Sequence, residues 1–325
     1  MRIAELYARG RPVFSFEFFP PKTDEGYQSL YTAIGELKRL GPGFVSVTCG
    51  AAGSTRRKTA DLVVRIQREL GLTAMAHVVC TGTTPDELAG SVGWMRDQGI
   101  ENVLALRGDA PKDQAAWQPA PGGFRHANEL AAFVKERFAL GIGGACYPEK
   151  HPEAPSAEED LRNLKRKVDA GAEFLITQLF FEGADYWRFV AAARAAGIGV
   201  PIVPGVMPIV SAANLRRMAT LSPGSNIPAE LQDELDRAGG EGDGALEVGV
   251  RWATRQCREL LDRGAPGIHF YTLNRSPATR RGHRRKSASC TRRCASRCSS
   301  RAKGRASRTS SRRSRRARCR RASRS

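Results

Sequence analysis

Phe16-Glu17-Phe18-Phe19-Pro20-Pro21 sets one carboxylate inside an aromatic run and ends that run with two prolines. Alternation puts Phe16 and Phe18 on one face of a strand and Glu17 and Phe19 on the other, and the prolines cannot continue a ladder. In a buried parallel strand the carboxyl group would be desolvated. Its pKa would then rise toward the range of a general acid. On an edge strand Glu17 would simply face water, so the strand's neighbours in the sequence have to decide.

Downstream, short apolar runs rich in β-branched residues alternate with longer amphipathic stretches. The runs are Val13 to Phe18, Phe44 to Thr48, Ala74 to Cys80, Asn102 to Arg107, Gly141 to Cys146, Phe174 to Gln178, Pro201 to Val206 and Gly267 to Thr272. Between them, helical periodicity covers Glu25 to Arg39, Lys58 to Leu70, Pro85 to Gln98, His126 to Phe138, Ala157 to Ala170, Ala184 to Ala195 and Ser211 to Leu221. Gly99, Gly141, Gly171 and Gly197 stand where helix C-caps are expected. An insertion at Pro228 to Arg237 and a glycine-rich loop precede a long helix, Ala245 to Arg263, that leads into the last run. Seven strand-helix units and an eighth strand predict an α/β chain folded as a (β/α)8 TIM barrel. An open doubly wound sheet is the alternative, but no glycine-rich dinucleotide fingerprint follows the first strand.

The formal net charge of +19 suggests a polyanion partner until its distribution is read. Of the 52 Lys and Arg residues, 20 lie in residues 280–325, which contain no Asp or Glu; residues 1–279 hold the other 32 against 33 acidic side chains. The body is therefore near neutral, with no bias toward nucleic acid. The tail has no Val, Ile, Leu, Met, Phe, Trp or Tyr, so it cannot pack as the closing helix that the barrel needs after Thr272. Ser276-Pro277-Ala278-Thr279 begins such a helix and nothing continues it. All tail residues but His283, Lys286 and Lys303 have codons with G or C in the middle position, the mark of a GC-rich frame read out of register. The expected organisation is one domain over 1–279 and a disordered basic Arg/Ser/Cys-rich tail over 280–325, with the closing helix missing or replaced. A basic arm that binds nucleic acid is the rival reading of the tail. A zinc site from Cys290, Cys294, Cys298 and His283 fits no standard ligand spacing well, and no metal is expected. Scattered cysteines, no apolar leader and no membrane-length run point to a cytoplasmic protein without a membrane partner.

Active sites of such barrels lie at the C-terminal ends of the strands. Read in order, those ends give Glu17, Thr48, His77, Arg107-Gly108-Asp109, Tyr147 with His151, Thr177-Gln178, and Tyr271 to Arg275. His77 sits in an apolar strand, where a satisfied core histidine is the ordinary reading. His151 sits in the proline-rich loop Tyr147-Pro148-Glu149-Lys150-His151-Pro152-Glu153, which core packing does not explain. In the helix after it, Asp160, Asn163, Arg166 and Lys167 line one side, either as a solvated face or as a seat for a diphosphate-bearing cofactor.

The motifs Phe16 to Pro21, Val45-Ser46-Val47-Thr48, Ala105 to Asp109, Tyr147 to Glu153, Asn163 to Ala172, Ile176-Thr177-Gln178 and His269 to Arg275 resemble, in order, methylenetetrahydrofolate reductases of the bacterial type. The resemblance runs from about residue 3 to 279. It implies a barrel flavoenzyme that binds FAD non-covalently and reduces 5,10-methylenetetrahydrofolate to 5-methyltetrahydrofolate with NADH or NADPH, commonly as a homo-oligomer. It implies that Glu17 is the general acid and that Asp109 binds the pterin beside the flavin. Thr48, His77, Arg107, Gly108, Asp109, His126, Ala127, Tyr147, His151, Ala154, Asp160, Asn163, Arg166 and Lys167 match the family's FAD positions. Gln178 and Arg275 match folate contacts, and Asn214 and Met218 stand where bacterial members carry Gln and Phe for that purpose. A different flavin-dependent barrel oxidoreductase, such as a proline-dehydrogenase-like enzyme, would share the fold without needing Glu17 in this strand.

Overall fold

A computed structural model describes residues 1–50, 55–109, 118–221 and 225–274, without the side chains of 220 and 221. The chain opens with a short helix, α1 (Ile3–Ala8), and then alternates: β1 (Val13–Phe18), α2 (Asp24–Lys38), β2 (Phe44–Val47), α3 (Arg56–Leu70), β3 (Ala74–Val79), α4 (Pro85–Asp97), β4 (Asn102–Leu106), α5 (Ala127–Phe138), β5 (Gly141–Cys146), α6 (Ala157–Asp169), β6 (Phe174–Thr177) and α7 (Gly183–Ala195). Two short strands, β7 (Ile202–Val203) and β8 (Gly205–Val206), precede α8 (Ala212–Leu221), α9 (Ala229–Arg237), α10 (Gly242–Asp262) and β9 (Gly267–Tyr271). All pairings are parallel, in the order β7-β6-β5-β4-β3-β2-β1-β9-β8. The result is the expected TIM barrel.

One expectation needs correction in its detail. The run Pro201 to Val206 is two strands rather than one, because Pro204 has no N–H and interrupts the ladder. Its first half pairs with β6 and its second half with β9, so the two halves of one broken strand complete the ring. Gly141 is likewise not a helix stop. Ala139 carries the left-handed turn after α5 (φ 50°), and Gly141 opens β5, where a Cβ would come within 2.7 Å of Asn102 Oδ1. Gly99, Gly171 and Gly197 do follow helix ends with positive φ. The closing helix and the tail lie outside the described residues.

Alternation along the strands separates two cores. Phe16 and Phe18 point outward into the layer between barrel and helices, and the Phe16 ring packs on Phe270 at 5.8 Å. Inside the barrel, the N-terminal end is filled by Val13, Phe44, Met75, Leu104, Phe174, Ile176 and Val203, and capped by Ile3 and Leu6 of α1. Fully buried Asn102 ties α1 in place: its Oδ1 accepts from the Ile3 N–H at 2.8 Å and its Nδ2 donates to the Met1 carbonyl at 3.0 Å. A third cluster joins α8, α9 and α10 beside the mouth.

Candidate active site

Above that plug the inner face turns polar. Ser15 and Glu17 of β1, Ser46 of β2, His77 of β3 and His269 of β9 project into the barrel, brought level by the registers Ser15↔His269 and Glu17↔Ser46. His269 is fully buried; its Nδ1 is 2.7 Å from Ser15 Oγ and its Nε2 is 3.2 Å from Glu17 Oε2. Ser46 Oγ donates to the same oxygen at 3.5 Å. His77 Nε2 lies 3.3 Å from it, within ion-pair range but off the hydrogen-bond axis, which leaves this buried nitrogen without an aligned partner. Glu17 keeps 16 % of its side-chain exposure, on the side of the mouth.

This geometry settles the water-facing alternative and reverses the expectation about acidity. Burial does push the Glu17 carboxyl upward, but the charge of His77 and the hydrogen bond from His269 outweigh it and hold the group down at about 2. Glu17 in this arrangement is a carboxylate, and an acceptor only. An acceptor at Glu17 requires that Nε2–H of His269 donate to it, and Nδ1 shares the second hydrogen bond of the ring with the Ser15 hydroxyl. The Glu17 backbone is pinned as well, since its carbonyl accepts from both the N–H and the hydroxyl of Thr272, at 3.4 and 2.6 Å. Asn274, at φ 57°, grips Phe19 two residues further on: it accepts from the Phe19 N–H at 3.0 Å and donates to its carbonyl at 2.8 Å.

A second group of polar residues lies along the ends of β4 and β5 and the start of α6. The Arg107 guanidinium makes a two-pronged pair with Glu153 from the loop after β5. His151 packs its ring edge-on to Tyr147 at 4.5 Å, its N–H donates to Asp160 Oδ2 at 2.9 Å, and its Nδ1 accepts from the Glu153 N–H at 3.1 Å. Burial lowers the basicity of His151 and of Lys167, whose Nζ turns inward to the Ala145 carbonyl at 2.6 Å. Burial, with Asp109 and Asp160 nearby, raises the Tyr147 hydroxyl to about 12. Thr48 is half-buried at the end of β2, Gly108 continues from Arg107, and Asp109 is exposed. Ala154 accepts from Lys150 Nζ.

Other expected site residues are placed differently. Asn163 and Arg166 are exposed on α6 and bonded to each other at 2.7 Å, on the solvated side, whereas Asp160 and Lys167 turn toward the loop and strand. His126 and Ala127 begin α5, where the His126 N–H donates to Glu129. Gln178 is half-buried directly after β6. Asn214 closes the first turn of α8, its Oδ1 accepting from the Val210 N–H at 3.3 Å. Met218 is buried in the cluster of α8, α9 and α10. Arg275 lies outside the described residues. Sequence reasoning did not single out Ser15 and His269; their signal was two polar residues on the inner face of strands otherwise apolar there. Among the described residues no group of three or more His, Cys, Asp or Glu could hold a metal ion, and no helix is long and apolar enough to cross a membrane.

A family model described as methylenetetrahydrofolate reductase matches residues 2–283. The 5,10-methylenetetrahydrofolate reductase of Escherichia coli is 39 % identical over 271 residues, covering 82 % of this chain and 88 % of that protein. Methylenetetrahydrofolate reductase (NADH) 1 of Arabidopsis thaliana is 37 % identical over 284 residues, covering 84 % of this chain and 48 % of that protein. The chain thus spans about half the length of the plant relatives it matches. Among solved structures, a Clostridium thermocellum protein that binds two copies of 5-methyl-5,6,7,8-tetrahydrofolic acid shares the fold, with a TM-score of 0.57 and 15 % identity over 87 % of this chain and 96 % of that one.

Proposed function

The chain belongs to the methylenetetrahydrofolate reductase family, and on that premise we propose that it reduces 5,10-methylenetetrahydrofolate to 5-methyltetrahydrofolate, with NADH or NADPH as donor and FAD as carrier. Residues 1–279 form the reductase domain in this reading, and 280–325 stand outside it. The observation that carries it is the line Ser15 Oγ, His269, Glu17 Oε2, which ends at the mouth where a substrate would enter.

Glu17 acts as the acid. Held ionised, it must first receive a proton, which reaches it through the mouth, where it keeps its exposed surface, while the hydrogen bond from His269 Nε2 at 3.2 Å, backed by Ser15, holds the carboxyl in place. Glu17 then delivers that proton to a nitrogen of the substrate's imidazolidine ring, and the ring opens to a carbon able to accept hydride. The pinned carbonyl of Glu17 keeps the carboxyl aimed at one place. Asp109 and Gln178 bind the folate, with Asp109 adding negative charge beside the cationic carbon.

The donor set suits FAD. Arg107 offers a cation, Tyr147 a flat wall, and the buried His77 Nε2 and Thr81 Oγ1 are polar atoms with no hydrogen-bond partner in the protein. Arg107, Tyr147, His151, Asp160 and Thr48 would hold the cofactor, which supplies hydride-transfer chemistry when bound. The test is Glu17→Gln in holoenzyme. Reduction of the flavin by NADH should persist while the folate half-reaction falls by ~100-fold or more. An unchanged folate half-reaction would refute the assignment.

A further inference from the structure

The barrel ring is weakest at the broken strand, where β7 and β8 contribute only two paired residues each and Pro204 cannot donate. One side chain crosses that sector. Tyr271, paired in register with Glu17, reaches from β9 over Gly205 and donates from its hydroxyl to the Thr177 carbonyl of β6 at 2.7 Å. Thr177 answers through its own hydroxyl, which accepts from the Gly205 N–H at 2.9 Å. The crossing depends on glycine. A Cβ at residue 205 would lie 2.7 Å from the Tyr271 ring, 2.8 Å from its hydroxyl and 2.4 Å from the Thr177 carbonyl.

The same ring meets His269 edge-on, with centroids 5.4 Å apart and planes at 90°, and His269 also stacks on Phe44 at 6.1 Å and 18°. His269 is therefore in ring contact both with a buried phenylalanine and with a tyrosine whose far end is tied to another strand. We propose that Tyr271 is a positioning residue: its hydroxyl anchor sets the plane of the His269 ring, and through it the direction of the Nε2–H bond that aims the Glu17 carboxyl. This rests on the reading of Glu17 as general acid. It also explains why this position carries a polar aromatic, since a phenylalanine would fill the space without the tie.

The test compares Tyr271→Phe with Glu17→Gln in holoenzyme. Tyr271→Phe should keep NADH-dependent flavin reduction within ~2-fold and slow the folate half-reaction by at least ~10-fold, with a displaced acid limb in its pH profile. The titratable groups around the Tyr271 hydroxyl are Glu17, Cys146 and Tyr147, and none of them is altered by this variant. Histidine labelled with 15N supplies a readout independent of turnover: His269, assigned by loss of its signals in His269→Gln, should be a single Nε2–H tautomer in the unmodified protein and a mixture in Tyr271→Phe. Equal slowing of both half-reactions, or an unshifted tautomer in Tyr271→Phe, overturns the positioning role while leaving Glu17 standing. A mixed tautomer in the unmodified protein overturns it even if Tyr271→Phe fails to fold. If Glu17→Gln leaves the folate half-reaction intact, the underlying assignment falls instead.

Discussion

Thr272 closes its hydroxyl onto the carbonyl of Glu17 at 2.6 Å, joining the exit of the last strand to the exit of the first. Replacing Thr272 by Val keeps the shape and removes the donor. The expected loss is about 1 kcal/mol in stability, measured by urea unfolding. A larger fall in the rate of the folate half-reaction than in flavin reduction should accompany it, because the carboxyl group hangs from this segment.

Acid should unfold the protein partly through Glu17. Its carboxyl is held at about 2 in the folded barrel against an ordinary value of 4.5. A depressed folded value means that the unfolded chain takes up the proton first as pH falls, so this contribution is complete above about 4.5 and disappears toward 2. Urea midpoints at pH 5 and pH 3 should therefore differ less in Glu17→Gln than in the unmodified protein. Equal acid sensitivity in the two proteins would contradict the described hydrogen bonding.

Arg107 should dominate flavin retention. Arg107→Ala removes a cation from the ends of β4 and β5, and flavin affinity read by fluorescence recovery should weaken by ~10-fold or more. Glu153→Gln should weaken it less, since it loosens the guanidinium without removing it.

Asn102 joins the N-terminal helix to the barrel floor. Asn102→Ala strands the buried Ile3 N–H and opens a gap beside Gly141. A loss of roughly 2 to 3 kcal/mol, visible as a lowered urea midpoint, is expected without a change in the ratio of the two half-reaction rates.

Much of this molecule was legible because burial on both faces makes each strand apolar over its whole length. Ala74 to Val79 is buried at every residue and stood out for that reason. Alternation put Glu17 on the face opposite Phe16 and Phe18, and the barrel pattern of the later strands made that face an interior one. The acidity of Glu17 could not be read in this way, since that depends on His77 and His269, which arrive from strands 60 and 252 residues away. Desolvation is a local inference; the partners that outweigh it are not. Pro204 did carry a readable break signal, hidden by the β-branched residues around it. The six residues of α1 were too few to show a helical period, and no side-chain cap marks their start. Asn214 and Met218 could be aligned with ligand positions, but whether a side chain faces a ligand or a neighbouring helix is decided by packing that their local sequence does not contain.

The plug formed by Ile3, Leu6 and the aromatic floor makes the described barrel a blind well. Ser15 and His269 sit at its base with no exposed surface, so the described residues leave no back door through which bulk water could restock them. A proton surrendered at the top has to be replaced from the top. In the proposed reaction, each proton that Glu17 delivers would therefore be drawn through the same mouth that admits the substrate.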